Sequence, residues 1–266
     1  MTRVMPQHSS STVLDFLGKR GESSAAFFVP FLTPQMSLLD IGCGPGTVTA
    51  ALAGGVQRTV GVDIEPNAIE RARRLAAASN GISMQFIEAD MTALPFTDNE
   101  FDAVFAHGVL YHLDAATLTN TLAEARRVLR PGGVIGIRDS DTGGDILHPE
   151  SKGLRNTLDL WMRWYGHANS DSVRFGRRQS AVLRAHGFMP IWSGASYVNH
   201  SADAATRREA AADAQHSLDE LRRGLLDKGL TNDREIDEAI AAWDIWGEDP
   251  DAIYLRCRCE CVARKS

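Results

Sequence analysis

Residues 38–46 read LLDIGCGPG, an apolar run that passes into three glycines at every second position. The run predicts a buried strand, and the glycines predict a tight turn into a helix that begins at Thr47. In a doubly wound parallel sheet, this turn is where backbone N–H groups meet a nucleotide-like ligand. A dinucleotide-binding loop would have glycine at position 47. The GxGxG spacing with Thr47 therefore argues against a nicotinamide oxidoreductase, which remains an alternative.

Apolar β-rich runs alternate with helical patterns on both sides of this loop, as is typical of a parallel sheet covered by helices. The predicted strands are residues 37–41, 58–63, 83–88, 101–106, 134–139, 189–197 and 252–263. The predicted helices are residues 47–54, 67–80, 115–129, 151–168 and 177–186. Together they predict one α/β domain over residues 1–266, in which Arg130-Pro131-Gly132-Gly133 turns the chain from a helix into the fifth strand.

Two segments lie outside the alternating pattern. Residues 1–30 are expected to form an N-terminal helical cap, and residues 202–247 a helical insertion between the last two strands. A connection of that length usually carries a binding surface or a lid. Both segments are therefore expected at the active-site edge of the sheet.

Composition excludes several classes of protein. The 266 residues include 28 basic and 34 acidic side chains, a formal net charge of −6, which lacks the positive field that nucleic acid requires. No apolar stretch approaches the roughly 20 residues of a membrane span, and the start of the chain lacks the pattern of a secretory signal. The sequence predicts a cytoplasmic protein with a small-molecule partner, and it leaves the oligomeric state, including a homo-oligomer, open.

The four cysteines do not form a paired disulfide framework or a CxxC zinc pattern. Cys43 lies in the glycine loop, while Cys257, Cys259 and Cys261 alternate in the last predicted strand. Alternation places those three on one strand face, where they are expected to pack as small apolar side chains. No metal site is predicted, although a thiolate site for arsenic or a soft metal stays as an alternative.

Three carboxylates lie at or near the carboxyl ends of the first three predicted strands. Asp40 precedes the glycines, Asp63 follows Gly42 by 63 − 42 = 21 residues, and Asp90 precedes Met91. A carboxylate at the position of Asp63 can accept hydrogen bonds from both ribose hydroxyls of an adenosyl group. The three strand ends predict a pocket for adenosine that lacks a strong phosphate site.

The sequence resembles the class I S-adenosylmethionine-dependent methyltransferases through five blocks over residues 36–140. These blocks are DIGCGPG at 40–46, VGVD at 60–63, EADMTALPF at 88–96, FDAVFAHGVLYHL at 101–113 and RVLRPGG at 127–133. Their order is similar to that in the branch containing quinone C-methyltransferases and many natural-product methyltransferases. The resemblance implies a Rossmann-like sheet of order 3-2-1-4-5-7-6 with an antiparallel seventh strand, and S-adenosyl-L-methionine as cofactor.

The resemblance also implies roles for residues of the cofactor site. Glycines of the loop would surround the methionyl part, Asp40 would organise the loop or only brace it, Asp63 would hold the ribose, and Asp90 with Met91 would hold the adenine. The backbone near His107 would pass close to the sulfonium. The complete predicted set is Asp40, Gly42, Cys43, Gly44, Gly46, Asp63, Ile64, Asp90, Met91 and His107.

Methyl transfer depends mainly on holding the acceptor in line with the methyl group, with a base where the acceptor must lose a proton. Some small-molecule O-methyltransferases of this branch have a His-His pair where this chain has Tyr111-His112, and an Asp where it has Asp139. His112 is the predicted base and Asp139 its orienting acid. The alternative, in which His112 only bonds to the backbone beneath the cofactor, remains open.

The expected reaction is methylation of a small apolar or aromatic acceptor at oxygen or carbon. Aromatic side chains from the cap, the helix at 151–168 and the insertion are expected to line the acceptor's site: Phe27, Phe28, Phe31, Trp161, Trp164, Tyr165, Trp243 and Trp246. For Trp161 and Trp164, whose spacing is typical of one buried helix face, packing in the core is the alternative. A protein that binds the cofactor without transferring the methyl group is the alternative.

Overall fold

A computed structural model describes residues 21–79, 83–168 and 172–266. The chain divides into two compact units. The first unit contains Met1–Asp139, Arg178–Gly194 and Glu260–Ser266, and the second contains Ser140–Arg177 and Ala195–Cys259. Among the described residues, no helix is both long and apolar enough to cross a membrane.

The strands of the sheet, in chain order, are β1 Ser37–Ile41, β2 Arg58–Asp63, β3 Met84–Glu88, β4 Phe101–His107, β5 Leu129–Ser140, β6 Ile146–His148, β7 Phe188–Asn199 and β8 Ile253–Lys265. Their order is β3-β2-β1-β4-β5-β8-β6, and β7 pairs with β8. The pairings β3–β2, β2–β1, β1–β4 and β4–β5 are parallel. The predicted doubly wound fold and strand order are therefore confirmed, with β6 as an additional short strand antiparallel to β8.

The α-helices of the described residues are α1 Thr47–Ala53, α2 Pro66–Ala78, α3 Ala115–Val128, α4 Lys152–Ala168, α5 Gln179–Ala185, α6 Ala204–Asp227 and α7 Asp233–Glu248. Capping side chains at the N-termini explain where several of these helices begin. Asp114 accepts a hydrogen bond from the Thr117 N–H at 2.8 Å, and Asn232 accepts one from the Glu235 N–H at 3.0 Å. Such caps satisfy N–H groups that the helix itself leaves unbonded.

The N-terminal cap is described from residue 21 onward. There it consists of two 3-10 turns, Glu22–Ser24 and Val29–Phe31, and residues 1–20 of the predicted cap lie outside the described residues. Phe28 is fully buried, with its ring centroid 5.5 Å from that of Phe105. A Cβ on Gly136 would lie only 2.5 Å from the Phe28 ring. This segment therefore covers the sheet of the first unit, and Phe28 is a core side chain.

The prediction for residues 130–133 needs a correction. These residues were expected as a turn before the fifth strand, but β5 already begins at Leu129. The register of β4 with β5 shifts from Phe101↔Leu129 to Ala103↔Val134, so the extra residues form an irregularity within the strand. Gly132 has φ +74°, which a glycine adopts without the steric cost that a side chain imposes.

The second unit is built on a helical core. The predicted insertion consists of α6 and α7, which pack with α4 around Trp243 and Trp246. Both indoles are fully buried, and their N–H groups donate to Thr157 Oγ1 and to the His148 carbonyl oxygen, each at 2.9 Å. These two tryptophans therefore belong to the core of the second unit.

Candidate functional site

The glycine loop connects β1 to α1 with a left-handed backbone. Gly42, Gly44 and Gly46 have φ values of +70°, +54° and +82°. A Cβ on Gly42 would overlap the side chain of Val109, and one on Gly46 would lie 2.8 Å from the Phe86 ring. Both positions therefore require glycine for the packing of the protein itself, in addition to any approach by a ligand.

Asp40 is buried beneath this loop. Its side chain accepts a hydrogen bond of 2.5 Å from the Thr49 hydroxyl of α1. Burial raises the pKa of Asp40 to about 7, while the Thr49 bond opposes that shift and the Asp63 charge adds to it. The carboxyl group therefore changes its charge near neutral pH, directly below the loop.

Asp63, at the end of β2, connects that strand to the glycine loop. One carboxylate oxygen accepts the Gly44 N–H at 2.8 Å, and the other accepts the Glu65 N–H at 3.0 Å. Burial raises the pKa of Asp63, and these backbone hydrogen bonds oppose the increase. Each oxygen has a second lone pair, so the fixed carboxylate can still accept hydrogen bonds from hydroxyl groups. Ile64, the next residue, is half-buried.

Asp90 and Met91 follow β3 at the same edge, since β3 runs parallel to β2 with Glu88 opposite Asp63. Asp90 accepts hydrogen bonds from the Thr92 N–H at 2.8 Å and the Thr92 hydroxyl at 2.7 Å. Met91 is half-buried. The parallel register therefore brings the three predicted acids to one edge of the sheet.

A buried pair that the sequence did not indicate lies beside β4. Arg138 and Glu260 are 3% and 6% exposed, and the Arg138 Nε donates to Glu260 at 3.0 Å. The Arg138 Nη1 lies 2.8 Å from Nε2 of His107. A guanidinium only donates, so Nε2 accepts and Nδ1 carries the proton in the neutral imidazole. The Arg138–Glu260 pair thus selects one tautomer of His107.

Tyr111 and His112 lie in a 3-10 turn, Leu110–His112, that follows β4. Their ring centroids are 3.7 Å apart, and both residues are half-buried. Asp139, at 1% exposure, accepts a hydrogen bond of 3.1 Å from the Val109 N–H. Asp139 is therefore tied through the backbone of Val109 to the segment that carries the predicted base.

None of the four cysteines, all of which lie in the described ranges, forms a disulfide. Burial raises the pKa of Cys43 well above its ordinary value, and the Asp40 and Asp63 carboxylates raise it further, which keeps this thiol protonated. Cys257 and Cys261 are buried and Cys259 is partly buried. Within the described ranges, no group of three or more His, Cys, Asp or Glu side chains could hold a metal ion.

The raised pKa of Asp40 predicts a pH dependence of stability. A folded-state pKa of about 7 against 3.8 unfolded means that the folded protein binds the extra proton, so its contribution to stability falls as pH rises from about 4 to about 7. The free energy of unfolding of wild type, relative to Asp40→Asn, should fall by up to about 1.4 kcal/mol per pH unit in this window. Urea unfolding of both proteins at pH 5, 6, 7 and 8 measures the difference, and parallel stability curves would contradict the assignment.

The sequence of this chain is similar to those of known proteins. A family model described as a methyltransferase domain matches residues 38–133. "Probable methyltransferase ltbC" of Aspergillus luteorubrus is 33% identical over an aligned length of 286 residues, and the alignment covers 97% of this chain and 95% of that protein. Both comparisons include the glycine loop and the ends of β1, β2 and β3.

Solved structures match the fold at lower sequence identity. The Bacillus halodurans protein BH2331 has a TM-score of 0.58 at 17% identity, with 91% of this chain and 99% of that chain covered. Phosphoethanolamine N-methyltransferase 2 of Haemonchus contortus, in complex with S-adenosyl-L-methionine, has a TM-score of 0.53 at 18% identity. The match covers 91% of this chain and 51% of that chain. The chain therefore belongs to the class I S-adenosylmethionine-dependent methyltransferases, a family whose cofactor is S-adenosyl-L-methionine.

Proposed function

We propose that the protein methylates a small apolar or aromatic organic acceptor at oxygen or carbon and releases S-adenosylhomocysteine. The observation that carries this proposal is the half-buried His112, which lies against Tyr111 just beyond the carboxyl end of β4. An imidazole at this edge suits an acceptor that must lose a proton from a hydroxyl group or an acidic carbon.

The side chains at the sheet edge fit the chemistry of the cofactor. Asp63 offers a fixed carboxylate for ribose hydroxyls, and Asp90 with the half-buried Met91 offers an acceptor and an apolar surface for adenine. The segments 40–46, 60–64 and 88–92 contain no Lys or Arg that would favour a phosphate. When bound, the cofactor supplies a methyl group activated on a sulfonium. A cation beside the loop would favour the ionised form of Asp40.

Asp63 provides a direct test of cofactor binding. Asp63→Asn keeps the shape and an oxygen for the Gly44 N–H but removes the charge, so S-adenosylhomocysteine should bind at least about tenfold more weakly. Calorimetric titration measures the dissociation constants. Asp251→Asn, at an exposed carboxylate, is the matched control and should bind like wild type. Equal affinity of Asp63→Asn and wild type would remove Asp63 from the cofactor site.

The two histidines near β4 have different roles in this proposal. His107 accepts from Arg138 through Nε2, so its protonated Nδ1 acts only as a donor, and the buried guanidinium opposes a second positive charge. His112 takes the proton of the acceptor, and Tyr111 restricts the plane of its ring. Asp139 positions the segment through the Val109 N–H.

A variant at His112 tests the base. His112→Ala should lower turnover at least about tenfold, because a positioned base contributes roughly 10²- to 10⁴-fold. The affinity for S-adenosylhomocysteine should stay close to that of wild type. His216→Ala is the control, since that histidine is exposed on α6. Unchanged turnover of His112→Ala would leave His112 without a part in proton removal.

The acceptor class is tested with the radiolabelled cofactor and a panel of phenols, enols, amines and thiols of similar size. Methylated phenols or enols, identified by a mass gain of one methyl group, are the expected products. Transfer only to amines or thiols would contradict the proposal. Saturable binding of the cofactor with no methylated product from any class would favour the alternative of a protein that binds the cofactor without transferring its methyl group.

A further inference from the structure

The connection between β3 and β4, which carries Asp90 and Met91, contains no helix. Residues 89–100, all of which the structure describes, cross from one strand to the other through turns and irregular backbone. Parallel strands are usually joined by a helix, which bonds its own N–H and C=O groups. The backbone of this connection has to find hydrogen-bond partners on other elements, because polar groups that lose water without a partner are costly.

Two side chains of α3 supply such partners. Glu124 accepts a hydrogen bond from the Leu94 N–H at 2.7 Å, and Nη2 of Arg127 donates to the Leu94 carbonyl oxygen at 3.1 Å. Nη1 of Arg127 donates to the Phe96 carbonyl oxygen at 2.8 Å and to the Asp98 carboxylate at 2.9 Å. Both backbone groups of Leu94, whose side chain is buried, are therefore bonded to side chains of one helix.

Glu124 and Arg127 also hold each other. Nε of Arg127 donates to one carboxylate oxygen of Glu124 at 2.7 Å, and Nη2 donates to the other at 2.8 Å. This hydrogen bonding lowers the pKa of Glu124 and raises the pKa of Arg127, so both groups stay charged at neutral pH. Such two-point pairing is stronger and more directional than a single contact between ions. We call the pair of Glu124 and Arg127 the α3 clamp.

A tight turn links the α3 clamp to Asp90. The Asp90 carboxylate accepts hydrogen bonds from Thr92, and its carbonyl oxygen accepts one from the Ala93 N–H at 3.1 Å. Leu94, which the clamp holds, is the next residue. On the other side of Asp90, the Ala89 N–H donates to the Asp63 carbonyl oxygen at 3.0 Å. Asp90 and Met91 therefore lie in a short segment that is fixed at both ends.

We propose that Glu124 and Arg127 are positioning residues for cofactor binding, which hold Asp90 and Met91 in place to receive the adenine ring. The clamp acts through the backbone of Leu94. A segment that is ordered before the ligand arrives loses less conformational freedom on binding, so the affinity for the ligand is higher. The contact of Asp90 and Met91 with adenine rests on the function proposed above.

Two ligands that differ only in the base test this role. S-adenosylhomocysteine has an amino group on the base that can donate to Asp90, and S-inosylhomocysteine has a carbonyl oxygen at the same position. Calorimetric titrations of the full-length protein give both dissociation constants and their ratio. Wild type should bind S-adenosylhomocysteine at least about tenfold more tightly than S-inosylhomocysteine.

Variants of the α3 clamp should lower both the affinity and this preference. Arg127→Ala should bind S-adenosylhomocysteine at least about tenfold more weakly and prefer it over S-inosylhomocysteine by about threefold or less, because Asp90 is no longer held. Glu124→Gln keeps one carboxyl oxygen but loses the two-point pairing with Arg127. It should change both quantities in the same direction by a smaller factor.

Arg126→Ala is the matched control. Arg126 precedes Arg127 on α3 and also donates to backbone carbonyl oxygens, but these belong to Gly187 and Ser266, outside the β3–β4 connection. This variant should keep the affinity and the preference of wild type. Loss of the preference in Arg126→Ala as well would overturn the assignment to the clamp.

The preference for adenine separates positioning from a general weakening of the structure. A cooperatively unfolding Arg127→Ala that keeps the wild-type preference would overturn the inference, even with lower affinity for both ligands. If Arg127→Ala does not fold, an unchanged preference in Glu124→Gln overturns it in the same way. Equal binding of the two ligands by wild type would overturn the inference together with the contact of Asp90 with adenine.

The binding test does not depend on methyl transfer. A preference that is lost in Arg127→Ala, together with no methylated product from the acceptor panel, would uphold the clamp and reject the acceptor class proposed above. Methylated phenols, together with an unchanged preference in Arg127→Ala, would uphold that acceptor class and reject the clamp.

Discussion

The parallel pairing of β1 with β2 and β4 is the constraint on which the functional edge depends. Strands that are hydrogen-bonded on both sides and covered on both faces have no room for charged side chains along their length. The acids of β1 to β3 therefore lie at or just beyond the carboxyl end, where parallel strands terminate together. Asp63 also fixes the position of the glycine loop relative to β2, because its carboxylate accepts a hydrogen bond from the Gly44 N–H.

Placing polar groups where they cannot be fully hydrated has a free-energy cost, which the structure offsets in the first two of the following cases and not in the third. Asp40 is compensated by one short hydrogen bond from Thr49 and by a pKa near neutrality. Arg138 is compensated by Glu260, in a pair whose desolvation offsets much of its attraction. In the second unit, Tyr254 keeps an uncompensated hydroxyl.

Much of the first unit could be predicted because short stretches of sequence specify its strands, its glycine turn and the acids at the strand ends. The apolar run ending in LLDIGCGPG contains both the strand and the turn that follows it, and Asp63 and Asp90 stand directly at strand ends. Arg138 and Glu260 could not be paired, since 122 residues separate them and their contact depends on the sheet order. The three residues of β6 are too few to show a period. The sequence predicts Trp243 and Trp246 as part of the acceptor's site, and the packing of α4, α6 and α7 instead places them in the core.

The two histidines after β4 also differ through a contact that depends on the fold and that no local sequence signal shows. The sequence predicts His112 as the base and places His107 near the sulfonium, although an imidazole at either position titrates near neutral pH where its surroundings leave it unperturbed. The structure separates them through Arg138, which occupies Nε2 of His107 with a donor that can never become an acceptor. Proton removal by His107 would then need Nδ1 to lose its own proton first, which neutral imidazole does not do near pH 7. A buried cation outside every recognised motif therefore argues against His107 as a base, in agreement with the role proposed for His112.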